Sequence, residues 1–227
     1  MIRYLPFSII YFLLCNWIQI YYLLGNLLKT KTGIISVDGK GLLPLLKRKT
    51  GLNLTIKIMP EKKRMIGFMV STPPFKPVMI FSDKLYRLLT KDEFEWVALH
   101  ESGHYLMWHN LKFVLVQFML YLLGILLLSF LNHLFLISNF VFGVILSFFY
   151  VQIVRVFEFQ ADFFAATHMD NPKGMITSNL KMKKINKALM GGKGCLQKFI
   201  IAVSPEDRIK MAERQIVLKA CLKTPAL

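Results

Sequence analysis

The chain has 227 residues, of which 55% are hydrophobic, and its mean hydropathy is +0.47. Its 29 Lys and Arg residues outnumber the 13 Asp and Glu residues, so the formal net charge is +16 at pH 7. This composition is too apolar for a disordered chain and too basic for an ordinary soluble enzyme. It favours a membrane protein that carries a charged aqueous part.

Residues 1–29 are predicted to form an N-terminal transmembrane anchor. Positions 5–28 carry no charged residue and are long enough to cross a hydrocarbon core of about 30 Å. A cleaved signal peptide is the alternative, because Arg3 provides a basic start. We favour an uncleaved anchor, since the apolar stretch is long and no small-residue cleavage site follows it.

Residues 30–112 are predicted to form the first part of a cytoplasmic domain. Lys and Arg residues are concentrated just after the first span, and this bias places the segment on the cytoplasmic side. A nucleic-acid-binding patch is the alternative, but interleaved aromatic residues and a recognisable binding motif are missing from the sequence. We therefore expect no nucleic-acid partner, and attraction to anionic lipid headgroups explains the charge better.

Three short segments within this part have the pattern of β-strands. Residues 52–58 alternate between apolar and polar side chains, whereas 65–70 and 78–81 are apolar runs separated by charged or proline-rich turns. From these segments we predict a small antiparallel sheet.

The segment 96–108 contains the pattern H-E-x-x-H, formed by His100, Glu101 and His104. Thr90 and Glu93 form a capping-box pattern ahead of it, which predicts a helix of about 18 residues. Positions four apart share one helical face, so both imidazoles can reach one metal ion. Glu101 is placed beside them to act as a general base on water in hydrolysis. The alternative is two ordinary helical histidines beside a chance glutamate.

Two apolar runs, 113–130 and 140–154, predict a transmembrane hairpin over 113–154. Their connection contains no Lys or Arg, whereas Lys112 and Arg155 flank the hairpin. Two crossings return the chain to the side that it left. We therefore expect residues 155–227 to form the second part of the same domain, on the same side as 30–112.

Glu158 and Asp162 follow the hairpin and lie four residues apart on a predicted helix. Their neighbours are mostly Phe and Ala, which argues against an ordinary solvated face. Two histidines, one glutamate and water form a known catalytic zinc arrangement, so Glu158 is predicted as the third ligand. Asp162 is predicted to accept the N–H of a ligand histidine and to hold its ring. His168 is a further candidate, for assisting the oxyanion.

These motifs resemble those of the integral-membrane zinc metalloproteases that include the HtpX heat-shock protease and the type 1 CAAX prenyl protease. The resemblance covers roughly residues 52–215 and is most specific at the two metal motifs. It implies a mainly helical zincin-type protease domain. It also implies that His100, His104 and Glu158 bind zinc and that Glu101 is catalytic.

The same resemblance implies two further features of the site. In related zinc proteases an edge strand beside the zinc helix holds the substrate backbone by strand addition, and residues 65–71 are the candidate. Residues 204–209 are similar to a family stretch that ends in Arg-Ile, although Ser204 stands in place of the family's histidine. The arginine of that stretch lies near the active site, which implies that Arg208 assists the transition state.

The predicted fold is therefore α+β with about three transmembrane helices. The predicted function is that of a membrane-embedded endopeptidase with one catalytic Zn²⁺, which cleaves membrane or misfolded proteins at the cytoplasmic face of the cell membrane. Two alternatives stay open: a metallopeptidase sensor that cleaves one specific partner, and a non-catalytic zinc-binding membrane scaffold. The scaffold requires a closed site with four ligands, and the sequence offers no convincing fourth ligand.

Overall fold

In a computed structural model, the structure of the chain is described for residues 35–61, 65–130, 135–190 and 203–223. The elements in chain order are β1 (Ile35–Val37), α1 (Leu43–Thr50), β2 (Thr55–Met59), β3 (Gly67–Met69), β4 (Val78–Ser82), α2 (Asp83–Leu88), α3 (Lys91–Leu106), α4 (His109–Phe130), α5 (Phe135–His168), α6 (Lys173–Met190) and α7 (Pro205–Lys223). Helices dominate, and they accompany one small sheet. The predicted mainly helical domain with a small sheet is confirmed.

The chain divides into two compact units. The first comprises Met1–Gly33 and Asn110–Ile153, and the second comprises Ile34–His109 and Val154–Leu227. All candidate site residues lie in the second unit, which also contains the whole sheet. The fold that positions the site is therefore the fold of this unit.

The predicted transmembrane hairpin over 113–154 falls within α4 and α5 and the segment between them. Among the residues that the structure describes, no helix combines the length and the apolar character needed to cross a membrane. The hairpin therefore stays a prediction. The predicted anchor over 1–29 lies outside the described residues.

The sheet has four strands in the order β1-β2-β4-β3. β1 is antiparallel to β2, β2 is parallel to β4, and β3 is antiparallel to β4. The prediction of a purely antiparallel sheet was therefore wrong. β4 lies between β2 and β3, so β2 and β3 are not neighbours. The neighbour of β2 is β4, which runs in the same direction. Alternating side chains indicate which face of a strand is buried, but not which strands are neighbours.

Helix α3 begins at the predicted capping box. The Thr90 hydroxyl accepts the backbone N–H of Glu93 at 3.5 Å, and the Glu93 carboxylate accepts the backbone N–H of Thr90 at 2.8 Å. The helix then crosses the hydrophobic core, where Phe94 and Leu99 are fully buried. The ring of Phe94 packs edge-on against Phe81 of β4, with 4.9 Å between ring centroids. The capping box and this packing together fix α3 against the sheet.

Helices α3 and α5 approach each other closely at Gly103. A Cβ atom at this position would lie 3.3 Å from the Cα of Ala161 and 3.2 Å from a ring carbon of Phe164, both on α5. Glycine carries no Cβ, so it allows the two backbones to lie this close. Gly103 directly precedes His104, so this approach brings α5 next to the metal motif.

A buried ion pair holds α3 to neighbouring segments. The Nζ of Lys49, on α1, lies 2.5 Å from Oε1 of Glu95 and 2.6 Å from Oδ1 of Asp170, which follows α5. Glu95 is only 3% exposed, and its carboxylate also accepts the backbone N–H of Asp170 at 3.1 Å. Burying a carboxylate without a partner costs several kcal/mol, so this contact matters for stability.

We expect Lys49→Ala to lower the free energy of unfolding by about 3–5 kcal/mol, because it leaves Glu95 buried beside no cation. The midpoint of urea unfolding of the full-length chain measures the loss. Lys183→Ala is the matched control, since the pair between Lys183 and Glu206 is more than half exposed on both sides. That control is expected to cost at most about 1 kcal/mol. Equal losses in the two variants would contradict a stabilising role for the buried pair.

Candidate metal centre

Three side chains from two helices converge on one point. His100 and His104 lie one turn apart on α3, and Glu158 faces them from α5. The two Nε2 atoms are 3.1 Å apart, and each lies close to the carboxylate of Glu158: His100 Nε2 at 3.5 Å from Oε2 and His104 Nε2 at 3.4 Å from Oε1. One donor atom from each residue lies within 4.8 Å of the others.

This donor set fits a catalytic zinc ion. Two imidazole nitrogens and one carboxylate oxygen are ligands that zinc accepts, and three protein ligands leave a coordination position open for water or substrate. Within the described ranges, the group that could hold a metal consists of these three side chains. A closed structural site uses four protein ligands, so the arrangement favours catalysis over a purely structural metal.

The three side chains influence each other's charge strongly. Burial alone would lower the pKa of His100, but the charges and hydrogen bonds of Asp162 and Glu158 outweigh burial and raise that pKa to about 10. Burial would raise the pKa of Glu158, but hydrogen bonds from His100 and His104 and their charges lower it far below its usual value. The carboxylates of Glu158 and Asp162 therefore stabilise a positive charge between them, whether on a protonated histidine or on a metal cation.

Asp162 and Arg208 form hydrogen bonds with the candidate ligands. Asp162 is fully buried, and its Oδ1 lies 2.9 Å from Nδ1 of His100, which is the contact predicted from the sequence. The guanidinium of Arg208, on α7, donates to Oδ2 of Asp162 at 2.7 Å and to Oε2 of Glu158 at 3.3 Å. Arg208 therefore lies at the site and contacts two of its carboxylates, and its predicted role in the transition state stays a prediction.

Glu101 lies beside the three ligands without belonging to their group. Its Oε2 accepts the backbone N–H of Met69 on β3 at 2.9 Å. Burial raises the pKa of Glu101, although the charges of His100 and His104 oppose this shift. A carboxylate with a raised pKa is a better proton acceptor near neutral pH. Glu101 is therefore suited to take a proton from water at this site.

Strand β3 forms the outer edge of the sheet beside α3, as predicted for residues 65–71. Val70 donates its N–H to the carbonyl of Val78, and the carbonyl of Ile66 accepts the N–H of Ser82, both at 2.8 Å. In an antiparallel pair, hydrogen-bonded positions alternate with positions that face outward. Gly67 and Met69 therefore direct their backbone groups to the outer edge.

The sequence reasoning missed two residues at the site. His109 is 2% exposed, and its Nδ1 lies 2.9 Å from Nδ1 of His104. Its Nε2 lies 3.0 Å from Oε1 of Gln160. The available signals were a histidine five residues after the zinc motif and a polar glutamine between two apolar residues on α5. Neither signal predicts that the side chain points toward the site, because that depends on the turn between α3 and α4.

The structure does not bring His168 to the site. It lies ten residues after Glu158 on the same helix, which corresponds to a distance of about 15 Å along the helix axis. Its Nδ1 lies 2.8 Å from the carbonyl of Phe164, and its ring stacks on the ring of Phe164. Its position at the end of α5 directs it away from the ligands, so the suggested oxyanion role has no support in this geometry.

We expect Asp162→Asn to weaken zinc binding by about 10-fold to 100-fold, because the change removes the negative charge that orients His100. Competition with a chromophoric chelator measures the affinity. Asp83→Asn is the matched control, since Asp83 pairs with Arg87 on the outside of α2 at 2.7 Å. Unchanged zinc affinity in Asp162→Asn would show that the negative charge of Asp162 does not support the metal.

In a comparison with protein-family models, residues 52–214 match the model of peptidase family M48. This match covers more than two thirds of the 227 residues and includes all three candidate ligands. A search of curated proteins found no match. The M48 family contains the HtpX and CAAX proteases, so the resemblance seen in the motifs is confirmed. The chain belongs to peptidase family M48, and it is a metalloendopeptidase.

Proposed function

We propose that the chain is a zinc endopeptidase that hydrolyses peptide bonds of membrane or misfolded proteins at the cytoplasmic face of a membrane. The observation that carries the zinc assignment is the convergence of His100, His104 and Glu158 within 4.8 Å, with Glu101 beside them. The donor set and the open position are those of catalytic zinc sites. Membership of the M48 family supports a polypeptide substrate.

The residues of the chain have distinct roles in this reaction. His100, His104 and Glu158 would hold zinc, which supplies Lewis-acid catalysis when bound. Glu101 takes a proton from water as the water oxygen adds to the carbonyl carbon of the scissile bond. Glu101 then delivers this proton to the peptide nitrogen as the carbon–nitrogen bond breaks. The products are a carboxylic acid and an amine, and Glu101 returns to its starting form.

Strand β3 is the proposed binding site for the substrate backbone. Gly67 and Met69 face the outer edge of the sheet, where an extended peptide can add as a further strand. The N–H of Met69 is donated to Glu101, so a peptide that paired with this N–H would take the place of the carboxylate and would lie beside the proton acceptor. Backbone pairing of this kind depends little on side chains, which suits an enzyme that cleaves unfolded polypeptides.

The proposed location rests on the sequence. The apolar runs 113–130 and 140–154, the uncharged positions 5–28 and the basic residues after them favour a multi-pass membrane protein with a cytoplasmic protease domain. A lipid bilayer is accordingly a proposed partner. Substrates would be polypeptides that reach the membrane surface.

We expect Glu101→Gln to retain zinc and to lose about 10²-fold to 10⁴-fold in the rate of casein cleavage, because it removes the proton acceptor but no ligand. Zinc content and cleavage are measured on the same purified full-length chain, with a chelated sample alongside. Glu213→Gln is the matched control, since Glu213 is exposed on α7.

Different results would identify which part of the proposal fails. Full activity in Glu101→Gln would contradict the role of Glu101. Zinc binding without any cleavage by the unaltered chain would favour the scaffold or a sensor with one specific partner. An unaltered chain that binds no zinc would overturn the central assignment.

We expect the full-length chain to stay in the membrane pellet after an alkaline carbonate wash, because hydrophobic spans are not removed by breaking ionic contacts. Detergent should release it. Immunoblotting of the pellet and the supernatant measures the distribution. Release by carbonate alone would contradict an integral membrane location and would favour surface attachment through the basic residues.

A further inference from the structure

The two candidate ligand histidines have different partners on the side that faces away from the metal position. For both residues, Nε2 is the atom that faces Glu158, and Nδ1 points outward. The Nδ1 of His100 meets the carboxylate of Asp162, whereas the Nδ1 of His104 meets the imidazole of His109 at 2.9 Å. His104 therefore has an imidazole as its partner where His100 has a carboxylate.

His109 is held firmly in this position. Trp108, between α3 and α4, has φ = +58°, a left-handed conformation that is costly for a bulky residue. This turn ends α3 and places His109 at the first position of α4. The imidazole of His109 stacks on the ring of Phe157, with 4.5 Å between centroids and an interplanar angle of 8°. The ring is 2% exposed, so solvent does not compete for its nitrogens.

The contacts of His109 have a defined direction. The Oε1 of Gln160 can only accept a hydrogen bond, so the Nε2 of His109, 3.0 Å away, donates to it. In a neutral imidazole the other nitrogen then carries a lone pair, so Nδ1 of His109 accepts. The Nδ1 of His104 must therefore donate. The Nε2 of His104 is left with the lone pair that a metal ligand requires.

We infer that His109 is a positioning residue that holds His104 in the tautomer and ring orientation needed for metal binding. Gln160 sets the direction of the hydrogen bonds, and Phe157 fixes the plane of the His109 ring. The inference rests on the proposed zinc function, because it assigns a role toward the zinc ligand His104. The partner of a ligand histidine typically contributes 10-fold to 100-fold to metal affinity.

The test compares two variants of nearly equal shape, His109→Asn and His109→Leu. Both lose the stacking on Phe157 and the contact with Gln160, but only Asn keeps an oxygen that can accept from Nδ1 of His104. We expect His109→Leu to bind zinc about 10-fold to 100-fold more weakly than the unaltered chain. His109→Asn is expected to recover most of this loss. His168→Leu is the control for removing a histidine outside the site.

Zinc affinity is measured on the full-length chain by chelator competition, and the visible spectrum of the Co²⁺-substituted chain reports the ligand geometry. The spectrum of His109→Leu should differ from that of the unaltered chain, and that of His168→Leu should not. Thermal unfolding checks that each variant is folded. If His109→Leu does not fold, His109→Ala replaces it.

The outcomes separate this inference from the function on which it rests. Equal zinc affinity in His109→Leu and the unaltered chain would overturn the positioning role and leave the zinc peptidase intact. Equal weakening in His109→Leu and His109→Asn would also overturn it, because packing and not the acceptor would then be responsible. An unaltered chain that binds no zinc would overturn both.

Discussion

The close approach of α3 and α5 at Gly103 is the constraint on which the site depends. Glu158 is separated from His104 by more than 50 residues of sequence, yet the Oε1 of Glu158 and the Nε2 of His104 are 3.4 Å apart. A Cβ at position 103 would lie 3.3 Å from the Cα of Ala161, so its neighbours on α5 would have to yield by a few tenths of an ångström. The three donor atoms must converge on one ion, so the packing of α3 against α5 bears directly on the metal site.

Helix α3 is unusual because it is buried and also charged. Glu93, Glu95 and His100 are each less than 10% exposed, and each has a partner from a different segment. Lys181 of α6 pairs with Glu93 at 2.7 Å, Lys49 of α1 pairs with Glu95, and Asp162 of α5 contacts His100. Buried charges are tolerated when each is paired, and each pair then ties the helix to another element. The charges that are costly to bury therefore also tie α3 to α1, α5 and α6.

The proton acceptor and the proposed substrate strand are joined by one hydrogen bond. Met69 lies on the edge strand β3, and its backbone N–H reaches Glu101 on α3. A peptide added to β3 would be positioned by the same strand that orients the carboxylate. In the proposed reaction, binding and chemistry would therefore be linked by the hydrogen bond between the Met69 backbone and the Glu101 side chain. His104 is likewise oriented by a neighbouring group, the buried ring of His109.

The sequence by itself determined the features that depend on local periodicity. The helical repeat places His100 and His104 on one face of α3, and the capping box begins that helix. The four-residue spacing likewise places Glu158 and Asp162 on one face of α5. Only the tertiary structure decided the strand order, because alternation shows which face is buried and not which strand is the neighbour. The tertiary structure also decided which other histidine supports the site: the turn at Trp108 directs His109 inward, whereas α5 carries His168 away. Such placements follow from backbone turns and helix packing between distant segments, and residue spacing along the chain does not contain that information.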